Sequence, residues 1–304
     1  MDRMDRKLIR LLDANCRVSY QDMAAEMGVS PTAVKRRVEK LVDTGVILGF
    51  RVLPSLAMME ADIVVAIICT DGSENREEIV KQIGATIVFH HISTIVGTEE
   101  GIYFAIGWYI GLAQFSEVGK ILRSLSGVTR VDMHSMLWSR GASMTLTSLQ
   151  KRVLRILKED ARMPIPDIAK ETGISARRVR RIVKELQDSE AFRFRIRWNM
   201  STGEKTQFIL GIGYKESEMS GYDIVEWLQE EFEAYFWEPY ISAMEPKVFG
   251  NFVVDTLRDV ESITQSVRAA PFVQSVATYV CLSNYKTIRH QKMWLENLLE
   301  QEET

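Results

Sequence analysis

A repeat constrains this chain more than any single motif. Moving back 145 positions (162 − 17) lays Arg162 on Arg17, and no gap is needed from Gln150 to Leu186. In that register Arg155, Leu157, Asp167, Ala169, Glu171, Gly173, Ser175, Val179, Arg181, Val183 and Leu186 fall on Arg10, Leu12, Asp22, Ala24, Glu26, Gly28, Ser30, Val34, Arg36, Val38 and Leu41. Chance similarity would not keep a turn glycine, a cap serine and the core positions together, so the chain is a tandem duplication.

The repeated unit reads as three helices. In the second copy the period of Leu149–Lys158 predicts a first helix and Pro166–Glu171 a short second one. Gly173 then suits a turn with positive φ, and Ser175 can cap the third helix. Val179, Ile182, Val183 and Leu186 make one apolar face of that helix, while Arg177, Arg181 and Lys184 lie opposite with Arg178 and Arg180 on the flanks. The first copy predicts helices over Asp5–Asn15, Gln21–Met27 (capped by Ser19) and Thr32–Val42, with Gly28-Val29-Ser30 as the turn and Pro31 at the first helical position. Its third helix turns Thr32, Arg36 and Glu39 away from Val34, Val38 and Leu41, and sets Lys35 and Lys40 on the flanks.

Three helices with a tight turn before the third make a helix-turn-helix, and a helix apolar on one side and cationic on the other can lie in a major groove. A lone basic helix is more often a solvated face; its neighbours and its duplication shift the reading to DNA. The candidate contacts are Ser30, Thr32, Lys35, Arg36 and Lys40 in one copy, and Ser175, Arg177, Arg178, Arg180, Arg181 and Lys184 in the other. Arg36, Arg177 and Arg181 are the candidates for base or groove contacts. A strand or small wing comes after each unit, Val46–Leu53 in the first. In the second, Phe192–Trp198 alternates apolar residues with Arg193, Arg195 and Arg197, which as a wing would reach phosphates.

Charge is distributed to match. The net charge of −3 conceals +3 over residues 1–55 (ten Lys/Arg, seven Asp/Glu) and +7 over 148–200 (fourteen and seven), leaving −13 for the remainder. Only the helix-turn-helix units are therefore suited to a polyanion. A 46% hydrophobic share excludes a disordered chain, and 304 residues allow more than one domain. No apolar run reaches the ~20 residues that span a bilayer, and the charged start is unlike a signal peptide. Cys16, Cys69 and Cys281 are odd in number and widely separated, which argues for reduced thiols and a cytoplasmic protein with no membrane partner.

Between the basic units the period changes. Ala61–Thr70, Thr86–Val96, Ile102–Ile110 and Val128–Trp138 read as strands, with Arg76–Ile83 and Leu112–Ser124 as helices. That order, βαββαβ, is a ferredoxin-like split unit. The second half repeats it with strands over Gln207–Tyr214, Tyr235–Met244, Lys247–Leu257 and Phe272–Ser283, and helices over Tyr222–Glu233 and Val260–Ala270. Lys286–Gln301 has no counterpart in the first half; Ile288, Trp294, Leu295, Leu298 and Leu299 mark a helix that must dock on the adjacent sheet or on a second chain. The fold class is α+β, a tandem repeat of winged helix-turn-helix plus ferredoxin-like domain with an extra C-terminal helix. The predicted domains are 1–55, 56–142, 146–200 and 204–284, then a helical segment at 285–304.

The segments Asp5-Arg6-Lys7-Leu8-Ile9-Arg10-Leu11-Leu12, Asn15-x-Arg17-Val18-Ser19, Met23-Ala24-x-x-Met27-Gly28-Val29-Ser30, Val34-x-x-Arg37-Val38-x-x-Leu41 and Gly45-Val46-Ile47-Leu48-Gly49-Phe50 closely resemble the pattern of the Lrp/AsnC (feast/famine) transcription regulators. The βαββαβ unit is similar to that family's effector (RAM) domain, so the resemblance covers nearly the whole chain. The second copy is looser: Pro164 and Pro166 replace Ser19 and Gln21, and Asp188-Ser189-Glu190 replaces Asp43-Thr44-Gly45. The family's chains usually carry one half and pair through their sheets, so the resemblance implies a fused dimer with both sheets packed within one chain. It also implies a small, amino-acid-like effector near the turn between the second and third strands, here Gly97, Thr98, Glu99 and Glu100. The matching turn of the second half, Met244-Glu245-Pro246, lacks the glycine.

His90-His91 invites a metal reading, but adjacent strand residues point to opposite faces and the usual His-x-x-His or Cys partners are missing. Paired carboxylates such as Glu99-Glu100 and Glu230-Glu231 read as solvated charge, and no nucleophile elbow, phosphate loop or zinc motif stands out. The expectation is no metal, no cofactor and no catalytic residue. Three classes remain: a sequence-specific regulator reading an imperfect palindrome, a less specific DNA-coating or architectural protein, and an enzyme. The last is represented by the sirohaem decarboxylases, which share this architecture but tend to lose the cationic third helix. Further pairing of fused chains would use the RAM sheets or the last helix.

Overall fold

Local signals set the elements. In the computed structural model, which describes residues 2–86, 88–96, 100–199, 205–286 and 289–300, helix α1 (Arg3–Ala14) starts from a capping box made by Asp2 and Asp5. Helix α2 (Tyr20–Met27) is capped by Ser19, whose hydroxyl accepts the Asp22 N–H at 3.0 Å. It ends on Gly28 at φ +67°, a left-handed cap suited to a residue without a Cβ. Helix α3 (Pro31–Asp43) comes next, then strand β1 (Ile47–Pro54) and a single turn, α4 (Leu56–Met59).

The first βαββαβ unit comprises β2 (Asp62–Thr70), α5 (Arg76–Ala85), β3 (Phe89–Ile95), β4 (Ile102–Tyr109), α6 (Gly111–Ser124) and β5 (Val128–Leu137). The second basic unit is α7 (Ser148–Leu157), α8 (Ile165–Thr172), α9 (Ala176–Asp188) and β6 (Phe192–Trp198). The second βαββαβ unit is β7 (Thr206–Tyr214), α10 (Gly221–Glu231), β8 (Phe236–Ser242), β9 (Lys247–Val254), α11 (Leu257–Ala269) and β10 (Val273–Lys286). Helix α12 (Arg289–Glu300) ends the described chain. The α+β class and the twofold repeat are both present. Strand β3 starts later than the sequence pattern suggests because α5 runs on to Ala85 and caps at Thr86.

The chain divides into two bodies that cut across the linear domain order. One holds Met1–Glu60, Arg140–Thr202 and Gln291–Thr304, and the other Ala61–Ser139 and Gly203–His290. In the first, the strands that the sequence presents as separate wings pair with each other. β1 and β6 form an antiparallel ribbon with Phe50 opposite Ile196 and Val52 opposite Phe194. The apolar alternation of β6 is buried, and its arginines are half-buried rather than free. The segment from Leu295 to Leu299 docks on the first helix of the second basic unit rather than on the adjacent sheet. Leu295 and Leu299 are buried, Arg155 donates to the Leu299 carbonyl at 2.6 Å, and Lys158 pairs with Glu296 at 3.2 Å. Ile288 lies outside the described residues.

In the second body the two four-stranded sheets join edge to edge into a closed barrel, ordered β10-β3-β4-β2-β5-β8-β9-β7. Strand β10 outruns the predicted Ser283 because its last residues bond to the other half, with Asn284 opposite Ser93 and Lys286 opposite His91. The second join is short: β5 meets β8 at Met136–Ser242 and Leu137–Ile241, and the Ala243 N–H donates to the Ser135 carbonyl at 2.8 Å just beyond them. Two cores fill the spaces under the helices. Val64, Ile68, Ile83, Phe89 and Leu122 lie in one, and Phe208, Leu228, Phe252 and Val267 in the other, all essentially inaccessible to water. Burying each such side chain contributes about 1.5–3 kcal/mol before entropy is counted. The adjacent histidines diverge as strand geometry requires. His90 tilts against Trp108 at 4.9 Å, while His91 Nε2 lies 3.0 Å from Ser93 Oγ and 3.1 Å from Asn284 Oδ1.

Candidate nucleic-acid interface

The third helices α3 and α9 carry the candidate contacts. Val34, Val38 and Leu41 of α3 are buried against its own bundle, as are Val179, Ile182, Val183 and Leu186 of α9. That seating turns Thr32, Lys35, Arg36 and Lys40 outward in one unit, and Arg177, Arg178, Arg180, Arg181 and Lys184 outward in the other, all exposed. Neither helix is packed inward on its charged face.

Each third helix is approached through the same turn. Gly28 and Gly173 both take left-handed backbone, at φ +67° and +65°. Ser30 then accepts the Ala33 N–H at 3.2 Å. Ser175 holds the same extended position but makes no side-chain capping bond, leaving its hydroxyl exposed. Helix α8 likewise has no side-chain cap, because Pro164 stands where Ser19 stands in the first copy and offers no side-chain oxygen.

The cations are not equally available. Lys35 pairs with Glu39 at 3.7 Å, Arg181 with Glu185 at 3.4 Å and Lys184 with Asp188 at 2.6 Å, all one helical turn apart and exposed. Such pairs are worth little and open easily toward a phosphate. Arg37 is different: it reaches Asp2 and Asp5, both at 2.7 Å, and pins α3 to the start of α1. These bonds raise the Arg37 guanidinium further above its usual range. Among the described residues Arg36, Lys40, Arg177, Arg178 and Arg180 belong to no ion pair, so α9 offers the denser field.

Arg193, Arg195 and Arg197 sit in the ribbon. Arg195 forms a two-pronged ion pair with Asp13 of α1, and Arg197 donates to the Leu48 carbonyl at 2.9 Å. Arg195 and Arg197 thereby tie the two basic units together, which the strand alternation alone does not reveal.

A second pair of arginines completes that clamp, at equivalent positions of the repeat. Arg17 donates to the carbonyls of Ala161 at 2.7 Å and Met163 at 3.0 Å. Arg162 donates to the Cys16 carbonyl while its guanidinium lies over the rings of Tyr20 (4.7 Å) and Phe50 (5.5 Å). The backbone repeats the exchange, with Cys16 N–H on the Phe194 carbonyl at 2.7 Å and Ala161 N–H on the Phe50 carbonyl at 3.3 Å. Burial at this junction pushes the Cys16 thiol up to about 12, against the pull of Arg162 and Arg17. The identity of Arg17 and Arg162 is legible in the repeat; their crossing is not.

Of the expected effector turn, Gly97, Thr98 and Glu99 lie outside the described residues. Glu100 is exposed, next to Gly101, whose backbone packs against Glu74 and Thr70 so closely that a Cβ there would collide with both.

Two solvent-facing basic helices on one ribbon-joined body define a winged helix-turn-helix DNA-binding protein. Comparison with known proteins agrees: residues 1–42 match the AsnC-type helix-turn-helix domain, and residues 146–190 a winged helix-turn-helix DNA-binding model. The chain is 24% identical over 165 residues to the HTH-type transcriptional regulator Ptr1 of Methanocaldococcus jannaschii, an alignment covering 54% of this chain and 99% of that one. It is 38% identical over 52 residues to the regulatory protein AsnC of Escherichia coli, covering 17% and 34%. The chain is thus similar, through its helix-turn-helix units, to AsnC-type transcription regulators. Its fold is also that of a solved structure, the siroheme decarboxylase NirDL in complex with an iron-uroporphyrin III analogue. The TM-score is 0.58 at 13% identity, over 97% of this chain and 98% of the other. Among the described residues no helix is long and apolar enough to cross a membrane.

Proposed function

We propose that the chain is a built-in dimer that regulates transcription by laying α3 and α9 into two major-groove segments about one helical turn, ~34 Å, apart. The observation that carries this reading is the pair of outward cationic faces held in one body by the β1–β6 ribbon and the Arg17/Arg162 exchange. Arg36, Arg177 and Arg181 take base or groove contacts, and Lys35, Lys40, Lys184, Arg178 and Arg180 take phosphates. Because α9 presents five exposed Lys/Arg and α3 presents Lys35, Arg36 and Lys40, the preferred site is an imperfect palindrome. Selection of bound fragments from genomic DNA tests the proposal: an imperfect inverted repeat is the expected return, and a perfectly symmetric site rules out unequal halves.

A small amino-acid-like effector at the turn carrying Glu100 is part of the same proposal, resting on the family resemblance. The enzyme reading is favoured by the whole-chain likeness to NirDL and opposed by the two retained cationic helices. Fragment selection separates them, because a decarboxylase returns no enriched DNA.

A further inference from the structure

The short β5–β8 join carries a side-chain cluster that DNA binding does not use. Asp132 and His134 are two apart on β5 and so share a face of the sheet. Glu245 comes from the other half of the duplication, in the turn between β8 and β9. One ligand atom from each of the three lies within 4.8 Å of the other two.

His134 is the informative member. It is 2% exposed, with its ring edge-on to Phe249 at 5.1 Å. Nδ1 is fixed 3.1 Å from Ser242 Oγ, which holds the ring in place. The other nitrogen, Nε2, is buried and has no hydrogen-bond partner, yet Asp132 Oδ1 lies 3.3 Å from it. If Nε2 is bare, a lone pair faces a carboxylate oxygen; if it carries a proton, that N–H finds no acceptor in hydrogen-bonding geometry. A bound cation relieves both, because 3.3 Å is the spacing of two ligand atoms around a tetrahedral ion with bonds of about 2.0–2.1 Å. A buried imidazole oriented through its second nitrogen is the usual setting of a metal-ligating histidine.

We propose that His134, Asp132 and Glu245 hold one divalent transition-metal ion of the zinc class in each chain. His134 Nε2 and an Asp132 oxygen are the fixed ligands. Glu245 Oε1, now 3.8 Å from Nδ1 and paired with Lys247, is the third ligand, and its nearly half-exposed carboxylate must turn from that pair toward the Nε2 side to complete the set. The ion clips together the two halves at the shorter of the barrel's two joins.

The duplication provides no second copy of the site. Ala66 of β2 lies opposite Met133, and its counterpart Leu210 of β7 lies opposite Thr278, so Asp132 and His134 correspond to Ala277 and Tyr279. Neither can complete a His–carboxylate set, which sets the stoichiometry at one.

The test uses the full chain, stripped with a chelator and titrated with Zn²⁺ by calorimetry and with Co²⁺ by visible absorption. One equivalent binding, a raised melting temperature and a cobalt spectrum without thiolate charge transfer are expected. Asp132→Asn and Glu245→Gln, both at half-exposed positions, should each weaken Zn²⁺ binding at least tenfold while leaving the circular dichroism of the metal-free protein unchanged. Absence of stoichiometric zinc binding, or binding undiminished in both variants, overturns the proposal, as does a cobalt spectrum showing cysteine ligation. DNA binding plays no part in the measurement, so the site stands or falls independently of the regulator reading.

Discussion

Arginines that look alike in the sequence do two different jobs here, and substitution separates them. Arg195→Ala removes a partly buried, two-pronged partner of Asp13 and should lower stability by about 1–3 kcal/mol in denaturant unfolding. Arg178→Ala changes an exposed side chain without an ion pair and should alter stability by no more than about 0.5 kcal/mol. Instead it should weaken DNA binding and reduce the salt slope by roughly 0.9 for its lost phosphate contact. Arg181→Ala, if the side chain reads a guanine, should cost about 1–3 kcal/mol and relax preference at one base pair. Equal weakening on random and preferred DNA would favour the coating protein. Cys16 gives a pH signature: burial raises its thiol from the ordinary 9.0 to about 12. Its contribution is complete below pH 9 and is lost as pH rises toward 12, since the unfolded chain ionises first. Alkylation at pH 8 should therefore spare Cys16 until the protein unfolds. The helix faces are legible at this scale because periodicity reports them directly. Asp132 and His134 escape such a reading because their third partner is more than a hundred positions away.

At the scale of elements, the two left-handed turns make a matched pair of tests. Gly28 has open space around it and Gly173 has only an Arg152 guanidinium nitrogen at 3.4 Å, so Ala meets no serious clash at either. Its cost is then the left-handed backbone alone, about 1–2 kcal/mol, and should be similar in both variants by thermal unfolding. A much larger loss at one position would show that the two turns are not equivalent. Helix and strand identities come through from the sequence because caps, turn glycines and alternation are local. What β1, β6, β10 and α12 pack against does not. The arginine alternation of β6 reads the same whether the strand is a free wing or half of a ribbon, and only the partner strand decides. The apolar residues of α12 announce that it docks without saying on what.

For the whole molecule, closure matters most. With β1 paired to β6 and the barrel joined at both seams, the strand edges at these joins are used internally. The full chain should sediment as a monomer of 34.8 kDa, whereas residues 1–142 alone would expose β1, β3 and β5 as unpaired edges and should self-associate. Sedimentation of both tests this directly; a dimeric full chain would point to an additional surface. The duplication makes a paired architecture readable from sequence, through the family resemblance. The strand-to-strand joins are not readable, because they depend on residues far apart in the chain.

Fusion of the two halves also changes what mutation can explore. In a partnership of identical copies, any alteration of the reading helix is made twice, and both arms of the operator must change with it. Here the Arg17/Arg162 lock keeps the partners together whatever each helix becomes, so one arm can drift toward a new sequence while the other keeps the old address.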